Sequence, residues 1–346
     1  MKRRHRILFA AAVITVALVL GEALVWWASP SEYLYPRYQF SGEYGLLPFP
    51  NVTMVHGIPR RFQYRYTVGD MGCRGDVPRP GEVSGPAVVT LGDSYAFGMG
   101  VADGEEFPAV MRRALAGSAE VVNLGSPGWG LTQEIRRFVE TGEAYDPGVV
   151  VLQFCSNDPD DNLANRVTRL EDGAFTFVSS ENSLNWIKKY LSRSFVQRTQ
   201  LYNFLRTRAS RAVLARMARR EEAQLVAAAP VSGGEGGPTA KERVHNHLLE
   251  AFAERLHADG RVLILISVDG QLGQFPGIER AVHDLDARGL LRYAEARDWL
   301  AGLAPYQSPE GHVWGTSAHA AIGEGLAVVV RDILAEAGSA PIGTNR

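Results

Sequence analysis

A chain of 346 residues with 46% hydrophobic side chains holds enough apolar material for one large α/β domain with appendages. Its formal net charge of -2 lacks the basic footprint of a nucleic-acid binder, so no nucleic-acid partner is expected. Two cysteines, Cys73 and Cys155, are too few for a disulfide scaffold. Cys155 ends an apolar run and reads as a small buried thiol, with a Cys73 to Cys155 bridge as the lesser alternative.

The charge bias is local. "MKRRHR", residues 1–6, precedes an apolar run over 7–27 that is about twenty residues long, enough to cross a bilayer. Basic residues before the span predict a cytoplasmic N-terminus and an extracytoplasmic remainder. Gly21 and Ala23 offer the small residues of a signal-peptide cleavage site, but the run continues through Leu24, Val25, Trp26 and Trp27, which favours an uncleaved anchor. Glu22 lies near the outer end of the span and is expected to reach the headgroups.

Residues 28–86 are rich in Pro, Gly and Tyr and read as an arm between membrane and domain. Within it, Phe62 to Gly75 alternates enough for an edge strand and a turn.

From 87 to 338 short apolar runs alternate with helical spacing. Ala87 to Leu91, Glu120 to Leu124, Val149 to Phe154 and Val262 to Val268 have the character of strands buried on both faces of a parallel sheet, with a weaker fifth at Leu290 to Ala296. Glu106 to Ala116 and Thr132 to Thr141 have helical spacing, and a terminal helix is expected from about His319 to Ala337, before a tail at 339–346. The fold class is therefore α/β, a three-layer α/β/α flavodoxin-like arrangement on a parallel sheet. An insert over about 163–245 interrupts it. There Asn185 to Val226 is amphipathic and basic, and Ala227 to Ala240 is a Gly-rich linker. Three roles suit this insert: a solvated helical pair, a lid, or a segment lying on anionic lipid.

The stretch "AVVTLGDSYAFG", Ala87 to Gly98, delivers Ser94 onto a turn between a strand and a helix start, where free N–H groups favour developing negative charge. A serine that merely caps the helix has the same signature. Three later stretches, "VVNLGSPGWG", "VVVLQFCSND" and "SPEGHVWGTSAH", complete a pattern that resembles the SGNH hydrolases, the GDSL esterase/lipase superfamily, over roughly Phe62 to Leu334. The Gly-Asp-Ser-Tyr-Ala sequence at 92–96 departs from the Gly-x-Ser-x-Gly elbow of an α/β-hydrolase.

The resemblance implies a nucleophile at Ser94, a base at His312, and an oxyanion hole from the N–H groups of Ser94 and Gly128 with the Asn157 amide; Gly125 and Gly130 are alternates in the glycine loop. His319 is the rival base, at a helix start where a structural histidine is frequent in the family; His245, His247 and His257 read as helix-surface residues. Glu310 stands where the family commonly has aspartate, two or three residues before the histidine, and is the candidate third member. Membrane-anchored members of the family often carry a Gly-x-Arg-Gly segment like that at 72–75, which implies that Arg74 lines the approach to the site; an arginine that fixes the arm to the domain is the alternative. Removing one oxyanion donor typically costs about 2.7–4 kcal/mol, so Asn157→Ala should nearly silence such an enzyme.

Asp158, Asp160 and Asp161 read as helix caps before they read as a cation site. The glycines of "NLGSPGWG" lack dinucleotide spacing, and no cofactor or metal is implied. The expected activity is extracytoplasmic hydrolysis of small O-acyl esters, acetyl above all, on an acylated cell-envelope glycan. An O-acyltransferase of a surface polysaccharide shares every residue named, and an inactive SGNH-like binding domain is the alternative of a different class.

Overall fold

The computed structural model describes residues 3–28, 33–35, 38–58, 61–179, 196, 199–205 and 237–339. Its first element, helix α1 (Arg3–Ala28), is long and apolar enough to cross a membrane by length and composition, a property that a signal sequence shares. Trp26 and Trp27 are exposed near its end. Glu22 does not reach outward as expected. Its carboxylate accepts the backbone N–H groups of Gln200 and Leu201, each at 2.7 Å, and Leu201 packs against Gly21. A carboxylate in an apolar setting needs donors, and the free N–H groups at the start of the short helical stretch 200–205 supply them.

The segment expected as an arm is instead folded against the domain. Strand β1 (Tyr33–Tyr35) pairs antiparallel with β4 (Val52–Ile58), which pairs with β5 (Phe62–Val68); β2 (Tyr38–Ser41) and β3 (Gly45–Pro48) form a separate hairpin. Tyrosine and β-branched residues in alternation explain these strands. Of the Gly and Pro residues that suggested a linker, Gly42 lies in the turn between β2 and β3, whereas Gly45, Pro48 and Gly57 lie within strands.

The domain is built on five parallel strands: β6 (Ala87–Leu91), β7 (Glu120–Asn123), β8 (Val149–Phe154), β11 (Val262–Ser267) and β12 (Arg292–Glu295). They lie in the order β12-β11-β8-β6-β7, all pairs parallel. Each run expected from its apolar residues as a strand of this sheet is present. Two further short strands, β9 (Thr168–Glu171) and β10 (Ala174–Phe177), form a hairpin at the start of the insert. The remainder of the insert, including most of the basic stretch 185–226 and the linker 227–240, lies largely outside the described residues.

Strand residues alternate between two cores. Val88, Val149, Val151, Ile264 and Ile266 face α3 (Phe107–Ala114) and the C-terminal α8 (Thr316–Ser339), packing with Phe107, Met111, Trp314, Ile322 and Leu326. Val89, Leu91, Val150, Leu152, Leu263 and Leu265 face α4 (Leu131–Glu140), α6 (Ala240–Ala258) and α7 (Pro276–Ala287), through Ile135, Phe138, Leu249, Phe252 and Val282. Helices therefore cover both faces, and the strands read as continuous apolar runs.

Within the sheet, β6 lies between the edge strand β7 and the middle strand β8. The chain steps from β6 to β7 on one side and then crosses to β8 on the other. Such a reversal opens a crevice beyond the carboxyl ends of β6 and β8, where ligands bind in open α/β sheets.

Candidate active site

Ser94 stands at that crevice as the first residue of the short helix α2 (Ser94–Phe97), directly after β6. Asp93 caps the helix, its Oδ1 accepting the Tyr95 N–H at 3.0 Å. Gly92 has φ +149°, and a Cβ there would lie 2.6 Å from Gln153 Oε1, so no other residue fits this turn. Gln153, fully buried on β8, accepts the N–H groups of both Asp93 and Ala96 at 3.2 Å and so fixes the turn that carries the serine.

His312 comes from the loop before α8. Its Nε2 lies 2.9 Å from Ser94 Oγ, and its Nδ1 lies 2.5 Å from Glu310 Oε2. The same carboxylate oxygen accepts the His312 backbone N–H at 3.1 Å. With Nδ1 facing a carboxylate, the proton sits on Nδ1 and Nε2 is left to accept the serine hydroxyl; this tautomer is assigned from the partners. The ring is fixed from the side by Tyr95, edge-on at 4.9 Å between centroids. Burial pushes the Glu310 carboxyl upward, but the hydrogen bond and electrostatic pull of His312, followed by the pull of His56, outweigh it and hold the group below its ordinary value. Glu310 is thus ionised wherever His312 serves as a base.

The structure brings Ser94, His312 and Glu310 together and separates the rival histidine from them. His319 is fully buried, its Nδ1 accepts the Phe107 N–H at 3.1 Å, and its ring stacks on Phe107. Burial is the main cause that lowers its pKa to about 3, so it stays neutral. His247 and His257 are exposed on α6, whereas His245 is not a surface residue as expected. It is buried, meets the Asn162 amide at 3.0 Å, and is lowered to about 3 by desolvation.

Among the three glycines of the loop after β7, the N–H groups of two are occupied. Gly125 donates to Asn123 Oδ1 at 3.0 Å, and Gly130 donates to Gln133 Oε1 at 3.2 Å within the start of α4. Gly125 is there for another reason: a Cβ at this position would meet Ala96 Cβ at 2.6 Å. Gly128, with φ +76° and open space beside its Cα, has an N–H that meets no protein acceptor among the described residues; the same holds for Ser94. The Asn157 amide donates one hydrogen to Asp161 Oδ2 at 2.7 Å, which fixes its plane.

The acidic residues after β8 face different partners. Asp158 Oδ2 accepts the Cys155 N–H at 2.9 Å, and Asp160 pairs with Lys241 at 3.1 Å. Burial raises the pKa values of Asp158 and of Glu134 on α4 well above the carboxylate range, with repulsion from Glu134 and Asp93 adding to it at Asp158 and from Asp93 and Asp161 at Glu134, and burial raises Asp161 to about 7. Glu134 Oε1 and Asp158 Oδ1 have no hydrogen-bond partner among the described residues. Carboxyls that bind protons more tightly when folded support the native state fully below their ordinary pKa and lose that support as pH rises through the folded value. The buried, neutral His245 and His319 contribute with the opposite sign, so the carboxyl share is read by comparison: the melting temperature of Glu134→Gln relative to wild type should rise from about pH 4 through about pH 7 and above. Parallel melting profiles for the two proteins would contradict this.

Sequence reasoning missed the contribution of the N-terminal strands. Trp129, next to Gly128, donates to the Leu46 carbonyl at 2.7 Å and stacks on Tyr44 at 5.1 Å. Of its two expected roles, Arg74 takes that of fixing the segment to the domain: its guanidinium donates to the carbonyls of Phe97, Gly98 and Val101 and pairs with Asp103 at 2.7 Å, over the Tyr66 ring. Both cysteines are free and buried; Cys73 accepts from Arg137, and Cys155 lies beside Gln271.

A sequence model of the GDSL-like lipase/acylhydrolase family matches residues 90–299. No curated protein matches the chain. Among solved structures, the chain is similar to a protein of Desulfitobacterium hafniense described as lipolytic and of the G-D-S-L family, at 14% identity and TM-score 0.42, covering 70% of this chain and 98% of that one. It is also similar to a carbohydrate acetylesterase family member from Sinorhizobium meliloti, at 14% identity, TM-score 0.38 and coverage of 72% and 99%. A psychrotrophic esterase from Pseudoalteromonas sp. matches at 11% identity, TM-score 0.40 and coverage of 72% and 98%. The family match spans well over half of the sequence, and the chain belongs to the GDSL-like lipase/acylhydrolase family of ester hydrolases.

Proposed function

We propose that the protein is an extracytoplasmic serine esterase, held to the membrane by α1, that removes small O-acyl groups, acetyl above all, from a cell-envelope glycan. The observation that carries the chemistry is the unbroken line from Ser94 Oγ to His312 Nε2 at 2.9 Å and from His312 Nδ1 to Glu310. A serine hydroxyl needs a base within about 2.6–3.2 Å to act as a nucleophile at neutral pH.

In this reading Ser94 Oγ attacks the ester carbonyl while His312 Nε2 takes its proton. Glu310, already ionised, stabilises the imidazolium that forms. The carbonyl oxygen gains negative charge and is met by the N–H groups of Ser94 and Gly128 and by the second amide hydrogen of Asn157, the first being held by Asp161. His312 then protonates the departing alcohol. Water, activated by the same histidine, releases the acid and restores Ser94.

The serine–histidine hydrogen bond supports an enzyme over an inactive binding domain. A long apolar helix directly before the folded hairpins supports an ester displayed near a membrane surface, where envelope polymers are assembled. The test is hydrolysis of p-nitrophenyl acetate, butyrate and octanoate by the full chain in detergent, beside acetylated oligosaccharides with and without an added sugar acceptor. Preference for acetate, and release of free acetate from the oligosaccharide, is the expected result. Transfer to the sugar without acetate release would make the protein an acyltransferase, and preference for octanoate would point to lipid esters.

A further inference from the structure

Glutamate has one more side-chain torsion than aspartate, so a glutamate that orients a histidine needs an anchor beyond that histidine itself. Glu310 has one. Its Oε2 serves His312, while its Oε1 lies 3.6 Å from Nε2 of His56, a fully buried residue on β4. His56 is itself held: its Nδ1 lies 2.8 Å from the Tyr66 hydroxyl on β5, and that hydroxyl accepts the Gly100 N–H at 3.0 Å.

The direction of each hydrogen follows from the donors available. The Gly100 N–H can only donate, so the Tyr66 oxygen accepts from it, and the hydroxyl hydrogen is assigned to His56 Nδ1, its other partner. Burial pushes the Tyr66 phenol upward, so it keeps that hydrogen. His56 Nδ1 is then the acceptor, and Nε2 carries the N–H that faces Glu310 Oε1. At 3.6 Å this is an electrostatic contact, and it becomes a hydrogen bond on closing by a few tenths of an ångström, as such contacts do when charge builds on a catalytic histidine. Phe62 packs edge-on against the His56 ring at 5.4 Å, and Tyr66 meets Phe97 of α2 at 5.8 Å, so the pair is clamped between hairpin and nucleophile helix.

We propose that His56, oriented by Tyr66, is a positioning residue that locks the Glu310 carboxylate against His312, which makes the N-terminal hairpin part of the catalytic apparatus. The inference rests on the Ser94–His312–Glu310 reading above. Neither His56 nor Tyr66 meets the reacting atoms; each acts through Glu310.

The test compares His56→Phe, His56→Gln and Tyr66→Phe with wild type and Ser94→Ala, all in the full chain. The readouts are melting temperature, kcat and KM for p-nitrophenyl acetate, and the rate at which a fluorophosphonate modifies the protein. His56→Phe fills the space but has no donor; it should lower kcat and the phosphonylation rate roughly 10- to 100-fold with KM little changed, the scale of a misplaced catalytic group. His56→Gln, which keeps a terminal N–H, should recover most of the loss, and Tyr66→Phe should fall between. Wild-type rates in His56→Phe, or equal losses in the Phe and Gln variants that track their melting temperatures, would overturn the proposal while a silent Ser94→Ala left the nucleophile intact. Undiminished modification or hydrolysis in Ser94→Ala, or no reaction in wild type by either readout, would overturn the nucleophile reading and this inference with it.

Discussion

Ser94→Ala should lower kcat/KM for ester hydrolysis by on the order of 10^4- to 10^6-fold and leave the fold intact. Loss of a serine or histidine that acts as part of a triad removes nearly the whole contribution of the unit, because each member works only through the others. The structure explains why stability should be spared. The Ser94 hydroxyl is half-buried and meets His312 at 2.9 Å and Asp93 only distantly, at 3.5 Å, while the backbone turn is held by Gln153 and by the Asp93 cap. Denaturation midpoints of the variant and wild type should agree within about 0.5 kcal/mol, the range of a surface change that breaks no buried network. Activity that survives the substitution would require another nucleophile.

The largest stability effect is expected at Arg74. Its side chain is fully buried and supplies donors to three backbone carbonyls and to Asp103. Arg74→Met keeps much of the apolar stem but strands those carbonyls, each of which costs about 1–3 kcal/mol when buried without a partner. Asp103 is 40% exposed, so water compensates it and the ion pair itself adds little. The expected loss is about 3–5 kcal/mol in denaturant unfolding. Arg74→Lys should not rescue it, because a single ammonium cannot reach acceptors that a planar guanidinium spans. Because the loop 97–103 contains Gly100, which holds Tyr66, activity should fall further than stability alone explains. A loss near zero would show that the loop holds its shape without the arginine.

Much of this was legible in the sequence for one physical reason. A strand buried on both faces must be apolar throughout, and the runs at Ala87 to Leu91 and Val149 to Phe154 appear in the structure with those bounds. The candidate site residues follow from the same frame: Ser94 and Asn157 lie in the loops after the neighbouring strands β6 and β8, and His312 precedes the last helix, so the fold alone brings it to Ser94 across 218 residues. Glu310 could be proposed from its spacing, but its orientation could not be read, because the buried histidine that its second oxygen faces is His56, brought to it from the far end of the sequence by the fold. Gln153 was hidden for a similar reason. It sits among apolar residues of β8, and only the turn after β6, 60 residues earlier, gives its amide a purpose. The N-terminal strands read as an arm because a segment whose strands themselves contain Gly45, Pro48 and Gly57 looks, by composition, like a linker. Their role emerges only through contacts such as Leu46 to Trp129 and Thr67 to Asp103.

Trapping the acyl-enzyme tests the central reading most directly. The full chain, mixed with p-nitrophenyl acetate and quenched in acid within the first turnover, should carry one acetyl group on the peptide that contains Ser94, absent from Ser94→Ala and lost on longer incubation in water. Ester hydrolysis that proceeds with no acetyl group on Ser94, or with a stable one on another residue, would contradict it.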